Sequence, residues 1–150
     1  MDYISYLRSM VGQEKVIMVV AGAFVQNEAG ELLLQKRRDS NEWGLPGGFM
    51  EMGESTVETA RREVFEETGL RLGELQLFRV YSGPQFDKTF ANGDQVALVQ
   101  VLYSCQEFTG ELIRSNSESA DNRFFQLKAL PEKLFQEHIS LIEDFRQALK

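Results

Sequence analysis

The chain has 150 residues, of which 43% are hydrophobic, and carries a formal net charge of −7 at pH 7. These values predict one globular domain, residues 1–150, whose apolar core needs no disulfide, and the single cysteine allows no internal pair. The acidic balance argues against an extended nucleic-acid groove, and the lack of an 18-residue apolar run or a charged-then-apolar leader predicts a cytoplasmic setting away from membranes.

The first predicted elements are a short helix and two strands. Residues Tyr3–Val11 have amphipathic spacing and predict a helix within an N-terminal extension, residues 1–15. Val16–Val25 is a strongly apolar run that predicts a strand, and Glu31–Lys36 predicts a second strand. The turn residues Asn27–Gly30 between them indicate that the two strands pair as a hairpin.

The most regular predicted helix covers Ser55–Thr68. Ser55 followed by Glu58 is a capping-box pattern, and Gly69 suits the left-handed residue that commonly ends a helix. An apolar stripe recurs at three- and four-residue spacing, at Val57, Ala60, Val64 and Thr68. The pattern predicts that this helix packs one narrow face on a core.

Three glutamates of this helix, Glu63, Glu66 and Glu67, fall within an arc of roughly 100° beside the apolar stripe. Glu63 and Glu67 repel each other at i, i+4, and the dipole near the helix end disfavours their charge. Arg62 offsets part of this repulsion because it can reach Glu58 and Glu66. Such a violation of local preference indicates a functional site, and oxygen-only ligands predict Mg²⁺ or Mn²⁺.

The segment before the helix belongs to the same predicted site. Pro46, Gly47 and Gly48 form a turn whose backbone can approach a ligand closely, and a carbonyl of this turn can join the glutamates around a metal. An acidic run on its own is typical of a solvated helix face. The two glycines together with Glu54 and Arg62 at fixed offsets make a metal site the preferred interpretation.

The second half of the chain predicts three more strands and a closing helix. The strands are Leu75–Ser82, Gln95–Cys105 and Arg123–Leu127, and the helix is Ile139–Leu149. The predicted buried face of this helix consists of Ile139, Ile142, Phe145 and Leu149. Cys105 is interpreted as a core thiol, and His138, the single histidine, as a structural or exposed residue.

Substrate-binding residues are predicted in the loops around the glycine turn. Arg37 could hold a phosphate through two hydrogen bonds. Trp43 either packs to anchor its loop or forms a wall of the site that stacks on a base. Phe86, in the irregular loop Ser82–Gly93, either stacks on a nucleobase or covers a small core beneath the loop. Glu118 lies in a polar loop and is either solvated or part of the site.

The glycine turn and the acidic helix carry a resemblance to a known family. The pattern G-x5-E-x7-R-E-V-x-E-E-x-G-L resembles the signature of the Nudix hydrolase superfamily at every specified position, and a weaker likeness covers roughly residues 16–145. The matching residues are Gly48, Glu54, Arg62, Glu63, Val64, Glu66, Glu67, Gly69 and Leu70. The implied fold is α+β, an α/β/α sandwich with a mixed β-sheet between helices.

The resemblance implies Mg²⁺-dependent hydrolysis of the pyrophosphate linkage in a nucleoside diphosphate derivative, with Mn²⁺ as a substitute. The substrate would be a nucleotide-type small molecule: a nucleoside triphosphate, ADP-ribose or another ADP-sugar, a dinucleoside polyphosphate, or a 5′-triphosphate RNA end. The alternative is a nucleotide-sensing module of the same fold without turnover, although such modules usually lack part of the signature. A homodimer would be compatible with the family.

The resemblance also assigns roles to the residues of the signature. Glu63 and Glu67 would be the main metal ligands, and the Gly48 carbonyl would complete the shell. Glu66 would share ligation or orient the attacking water. Arg62 would hold the glutamates by ion pairs, and Glu54 would support the cluster.

The general base stays open at this point, with Glu66 and Glu118 as the two candidates.

Overall fold

The computed structural model describes residues 1–149. The helices of this part of the chain are α1 (Tyr3–Val11), α2 (Thr56–Thr68) and α3 (Gln136–Ala148), with a short 3₁₀ helix at Pro84–Phe86. The strands are β1 (Val16–Val25), β2 (Leu32–Arg37), β3 (Trp43–Gly44), β4 (Gly47–Phe49), β5 (Arg71–Leu72), β6 (Gln76–Tyr81), β7 (Asp87–Thr89), β8 (Gln95–Cys105), β9 (Phe108–Thr109) and β10 (Ser119–Phe125). No helix within residues 1–149 has the length and apolar character needed to cross a bilayer.

The largest sheet is mixed and has the strand order β4-β1-β8-β6, with β7 also paired to β8. Its two long central strands, β1 and β8, run parallel, with Val16 opposite Val96 and Val25 opposite Cys105. The other strands of this sheet run antiparallel to their neighbours. Because successive side chains of a strand point to opposite faces, β1 and β8 each supply residues to both sides of the sheet.

Helices cover both faces of this sheet. On one face, Ala21 and Ala23 of β1 pack with Ala60 and Val64 of α2. On the other face, Phe24 of β1 stacks on Phe145 of α3 with ring centroids 4.2 Å apart. Helix α1 packs on this second face as well, near Met18 and Leu98. The α/β/α sandwich with a mixed central sheet is therefore confirmed.

The predicted hairpin between the first two strands is wrong. Both edges of β1 are occupied, one by β4 and the other by β8. Strand β2 instead pairs with β10 and β3 in a separate three-stranded sheet. Only a single antiparallel bridge, between Gln26 and Leu32, remains of the predicted pairing.

The buried face of the closing helix also differs from the prediction. Helix α3 begins at Gln136, and its buried residues are Leu141, Ile142 and Phe145. Ile139 is 42% exposed and Leu149 is 49% exposed. At about 100° per residue, His138 and not Ile139 lies in line with Leu141 and Phe145, and Leu149 follows the last helical residue.

The loop Ser82–Gly93, predicted to be irregular, contains regular structure. The segment between residues 82 and 93 forms the 3₁₀ helix and strand β7, which pairs with the start of β8. Residues Trp43–Gly44, just before the glycine turn, form β3. Strand β10 begins at Ser119, four residues before the predicted start at Arg123, and this brings the polar loop around Glu118 to the edge of the site.

Candidate active site

The glycine turn lies against the edge of the main sheet. Gly47 of β4 faces Gly22 of β1, and Gly48 faces Ala21. A Cβ atom on Gly22 would lie 2.5 Å from the carbonyl oxygen of Pro46, and one on Gly47 would lie 2.7 Å from the carbonyl oxygen of Ala21. The two backbones can approach this closely only because both positions are glycine.

Helix α2 begins and ends as its sequence predicts. The Ser55 hydroxyl accepts a hydrogen bond from the Glu58 N–H at 3.1 Å, and the Glu58 carboxylate accepts one from the Ser55 N–H at 2.9 Å. Gly69 ends the helix in the left-handed conformation with φ of 82°. The capping box and the left-handed glycine are therefore confirmed, and they orient the glutamates of the second half of the helix.

Both glycines of the turn contact glutamates of α2. The Gly47 N–H donates a hydrogen bond of 2.9 Å to Oε1 of Glu67. A Cβ atom on Gly48 would lie 2.5 and 2.7 Å from the two carboxylate oxygens of Glu63. The carboxylate of Glu63 therefore sits where any larger residue at position 48 would place its side chain.

Three carboxylates meet beside this turn. Oxygens of Glu63, Glu67 and Glu118 all lie within 4.8 Å of one another. Glu67 is buried, Glu63 is partly buried and Glu118 is exposed. Glu66 is not a member of this group; its side chain is 48% exposed and accepts, at 3.3 Å, from the same Arg62 Nη1 that donates to Glu63. The structure thus brings the loop residue Glu118, and not Glu66, to the two helix glutamates.

The cluster formed by the carboxylates of Glu63, Glu67 and Glu118 places negative charge where it is poorly solvated. Burial raises the pKa of Glu63, although its hydrogen bond with Arg62 opposes this. The pKa of Glu67 is raised well above its ordinary value, mainly by burial and secondly by the nearby charge of Glu63. A cation among the three carboxylates would relieve both effects, and an all-oxygen donor set fits a hard divalent ion.

Arg62 connects the cluster to the loop before the helix. Its guanidinium donates to both carboxylate oxygens of Glu54, at 2.6 and 3.1 Å, and to Oε1 of Glu63 at 2.8 Å. It also donates to the carbonyl oxygen of Phe49 at 3.0 Å. The hydrogen bonds from Arg62 lower the pKa of Glu54 to about 2. The predicted contact of Arg62 with Glu58 is wrong, because Glu58 is used in the capping box.

Buried polar residues of β10 hold the end of α2 and were missed by sequence reasoning. The Ser119 hydroxyl and the Asn122 amide both donate to the carbonyl oxygen of Glu67, at 3.0 and 2.9 Å. Asn116 accepts hydrogen bonds from the N–H groups of Glu118 and Ser119 at 2.9 and 2.8 Å. The available signal was a polar run directly before an aromatic strand, which indicates buried polar contacts as well as a loop.

An apolar cavity opens on the other side of the glycine turn, so that Gly47 and Gly48 line both the cavity and the cluster. His138 lies in the cavity wall, and its Nδ1 accepts a hydrogen bond from the Leu45 N–H at 3.0 Å. This bond requires that Nδ1 carry no proton. Burial lowers the pKa of His138 to about 4. His138 is thus structural, one of the two roles expected from the sequence.

The candidate substrate-binding residues occupy different environments. Arg37 lines the cavity and also a groove that includes Glu67 and Glu118. Trp43 is only 9% exposed and packs edge-on against Phe125 with ring centroids 4.9 Å apart. Trp43 is therefore a core residue and not a wall of the cavity.

Phe86 likewise packs into the interior. Its ring lies edge-on to Tyr81 with centroids 5.7 Å apart, and it covers the core beneath the 3₁₀ helix. Of the loop aromatics, Phe90 lines the cavity instead. Trp43 and Phe86 thus both make packing contacts, and their part in substrate binding stays a prediction.

Comparison with known proteins identifies relatives of this chain. The family model described as NUDIX domain matches residues 16–145. A protein of Methanocaldococcus jannaschii named ADP-ribose pyrophosphatase is 34% identical over 77% of this chain and 65% of its own length. A Bacillus subtilis protein named putative 8-oxo-dGTP diphosphatase is 32% identical over 86% of this chain and 81% of its own length. The chain thus spans just under two thirds of the first relative.

A solved structure also resembles this chain. The crystal structure of a MutT NUDIX hydrolase from Burkholderia pseudomallei superposes with a TM-score of 0.71 at 28% identity. The superposition covers 87% of this chain and 97% of the other.

Proposed function

The chain belongs to the NUDIX family of hydrolases, and from this premise we propose that it hydrolyses the pyrophosphate linkage of a nucleoside diphosphate derivative with the help of Mg²⁺ or Mn²⁺. Relatives named for ADP-ribose and for 8-oxo-dGTP support this substrate class without selecting one member. Nucleoside triphosphates, ADP-sugars, dinucleoside polyphosphates and 5′-triphosphate RNA ends all contain the required linkage.

One observation carries the proposal. Three carboxylates, from Glu63, Glu67 and Glu118, converge within 4.8 Å on one side of the Gly47–Gly48 turn, and an apolar cavity opens on its other side. A diphosphate bound across the turn would place its charged part beside the carboxylates and its remaining part in the cavity. The backbone at the turn is bare enough for such an approach because neither residue has a side chain.

The charges of the chain require a cation for this reaction. The substrate is a polyanion, while the protein carries a net charge of −7 and concentrates carboxylates at the site. A divalent ion held by Glu63, Glu67, Glu118 and the Gly48 carbonyl would supply, when bound, the positive charge that attracts and polarises the diphosphate. Among the residues of the chain, Arg37 contributes a guanidinium suited to a phosphate oxygen.

The hydrogen bonds of the site favour Glu118 over Glu66 as the residue that receives the proton of the attacking water. Glu66 accepts from the Arg62 guanidinium, and its oxygens are not among those that lie within 4.8 Å of one another in the three-carboxylate group. Glu118 is exposed, and its neighbouring backbone is fixed by Asn116, so it can face both the helix glutamates and solvent. Arg62 and Glu54 act as positioning residues, since Arg62 donates to Glu63 and Glu54 in turn holds the Arg62 guanidinium.

Phosphorus NMR tests the proposal. The folded protein is incubated with MgCl₂ and one member of each substrate class, and phosphate products are followed with and without a chelator. We expect metal-dependent cleavage of at least one member. Folded protein that cleaves none of them would support the nucleotide-sensing alternative, and cleavage that persists after chelation would contradict the role of the carboxylates.

A further inference from the structure

A buried glutamine in the cavity has an unused hydrogen-bond donor. Gln100 lies in the middle of β8 and is only 4% exposed, yet its Nε2 has no hydrogen-bond partner among the described residues. Two other buried glutamines do have partners: Gln26 donates to the Gly30 carbonyl at 3.0 Å, and Gln35 donates to the Ser119 hydroxyl at 2.7 Å. A buried donor without a partner is destabilising, which makes Gln100 an exception that calls for a ligand.

The surroundings of Gln100 are apolar and aromatic. Leu98 and Leu102, two residues to either side on β8, lie on the same face of the sheet and line the same cavity. The rings of Phe90 and Phe135 also line it. Of the charged side chains that also line the cavity, Lys88 pairs with Glu137 at 3.1 Å and Arg37 pairs with Asp39 at 3.4 Å. The wall that Gln100 shares with Leu98 and Leu102 is therefore the apolar part. A planar heteroaromatic ring could stack on the aromatic walls and present its polar edge to one amide.

In the wall of the cavity, Lys88 lies between the rings of Phe90 and Phe135. The Lys88 Nζ lies 3.1 Å from the Glu137 carboxylate, 4.5 Å from the centroid of Phe135 and 5.2 Å from that of Phe90. These contacts fix the aromatic walls relative to β8. The opposite end is the glycine turn, beyond which lie the carboxylates.

We propose that this cavity binds the nucleobase of the substrate and that Gln100 is a specificity-determining residue which hydrogen-bonds the edge of the base. The inference rests on the proposed function for the orientation of the substrate, with the diphosphate across Gly47 and Gly48. A glutamine amide offers a donor and an acceptor side by side, and such an amide can distinguish bases by the groups along their edges.

Binding of nucleoside monophosphates tests this inference without any turnover, because they lack a phosphoanhydride. Affinities for AMP, GMP, CMP, UMP and ribose 5-phosphate are measured by calorimetry with wild type and Gln100→Met, which keeps the length of the side chain and removes its amide. We expect at least one base to raise the affinity about tenfold or more over ribose 5-phosphate. We expect Gln100→Met to remove most of the difference between bases.

Thermal unfolding supplies the matched control. Gln100→Met removes a donor without a partner, so we expect the Tm of the free protein to stay the same or rise. Gln26→Met, at a buried glutamine with a partner, should lower the Tm because it leaves the Gly30 carbonyl unsatisfied. A marked drop in the Tm of Gln100→Met would show a structural role and overturn the inference.

The remaining outcomes separate this inference from the proposed function. Equal affinity of wild type for all four monophosphates and ribose 5-phosphate would overturn the base site. The same base ranking in Gln100→Met would also overturn it, and would indicate that the amide binds only a buried water. If the protein binds bases selectively but hydrolyses no substrate in the phosphorus NMR experiment, the base site is supported and only the proposed enzymatic activity is refuted.

Discussion

The backbone N–H of Gly47 donates a 2.9 Å hydrogen bond to Oε1 of Glu67, a residue that is only 5% exposed. This bond joins the turn at the edge of the sheet to the second half of α2. The backbone carbonyl oxygen of Glu67 accepts hydrogen bonds from the side chains of Ser119 and Asn122 of β10. One glutamate is thus fixed from two sheets at once, which keeps its carboxylate beside those of Glu63 and Glu118.

Replacement of Glu67 by Gln should separate activity from stability. Glutamine can still accept the Gly47 hydrogen bond, but it removes one charge that a metal ion needs. We expect kcat to fall by more than about a hundredfold, the scale for loss of transition-state metal contacts. We expect the free energy of unfolding at pH 7 not to fall, because burial and Glu63 already raise the pKa of Glu67. Steady-state kinetics and urea unfolding check the two parts.

The control for this experiment is Glu58→Gln in the same helix. Glutamine serves in a capping box as glutamate does, so both kcat and stability should stay close to wild type. Wild-type kcat in Glu67→Gln would refute the assignment of the metal site.

A methyl group at position 48 should displace the carboxylate of Glu63. The Cβ of Gly48→Ala would meet both carboxylate oxygens at 2.7 Å or less, so Glu63 must move away from the cluster. We expect metal affinity to fall at least about tenfold, as measured by Mn²⁺ titration. Gly30→Ala is the contrasting variant, because Gly30 has φ of 78° and no neighbour within 4 Å of a Cβ.

Gly30→Ala should lower stability by about 1 kcal/mol through backbone strain and leave metal affinity unchanged. Equal metal affinity in wild type and Gly48→Ala would show that the contact between Gly48 and Glu63 does not position a ligand.

Arg62→Lys should weaken the link between α2 and the preceding loop. Lysine cannot reproduce the two bonds to Glu54 while also reaching Glu63. We expect a loss of about 1–3 kcal/mol in the free energy of unfolding at pH 7, with a lower kcat. Arg146→Lys, which changes an exposed pair with Glu143, should stay within about 0.5 kcal/mol of wild type.

The same variant should change the stability of the protein in acid. The pKa of Glu54 is about 2, below its ordinary value of 4.5, so its contribution is fully present above pH 4.5 and disappears as the pH falls towards 2. Arg62→Lys should lose stability at neutral pH and approach wild type in strong acid. A constant difference between the two proteins across this range would contradict the ion pair.

His138 should make the protein sensitive to mild acid. Its pKa is lowered from 6.5 to about 4, so the neutral form stabilises the fold fully above pH 6.5, and this contribution is lost as the pH falls through that window. The loss amounts to up to about 3 kcal/mol. His138→Asn keeps an acceptor for the Leu45 N–H and cannot titrate.

The difference in unfolding free energy between wild type and His138→Asn should therefore shrink or reverse between pH 7 and pH 4. Taking the difference cancels the carboxylates that titrate in both proteins. A difference that does not change with pH would show that His138 remains accessible to protons in the folded state.

The sequence predicted the elements that depend on near neighbours. The capping box at Ser55 and Glu58 and the left-handed Gly69 were read directly from spacing, and both are present. The prediction of a hairpin was wrong although Asn27–Gly30 does form a turn. Strand β1 has no free edge for β2, because β4 and β8 are paired to it. Turn chemistry is local, whereas the choice of strand partner is a competition across the whole sheet.

The sequence by itself determined that a glycine turn and an acidic helix belong to one unit, because capping, helical period and bare backbone all act within a short stretch of chain. Only the tertiary structure decided that Glu118 joins Glu63 and Glu67 while Glu66 turns to Arg62, and that Trp43 packs in the core. It alone placed the unpartnered amide of Gln100 in a cavity beside the turn. These relationships depend on strands far apart in sequence, whose pairing and burial no local pattern specifies.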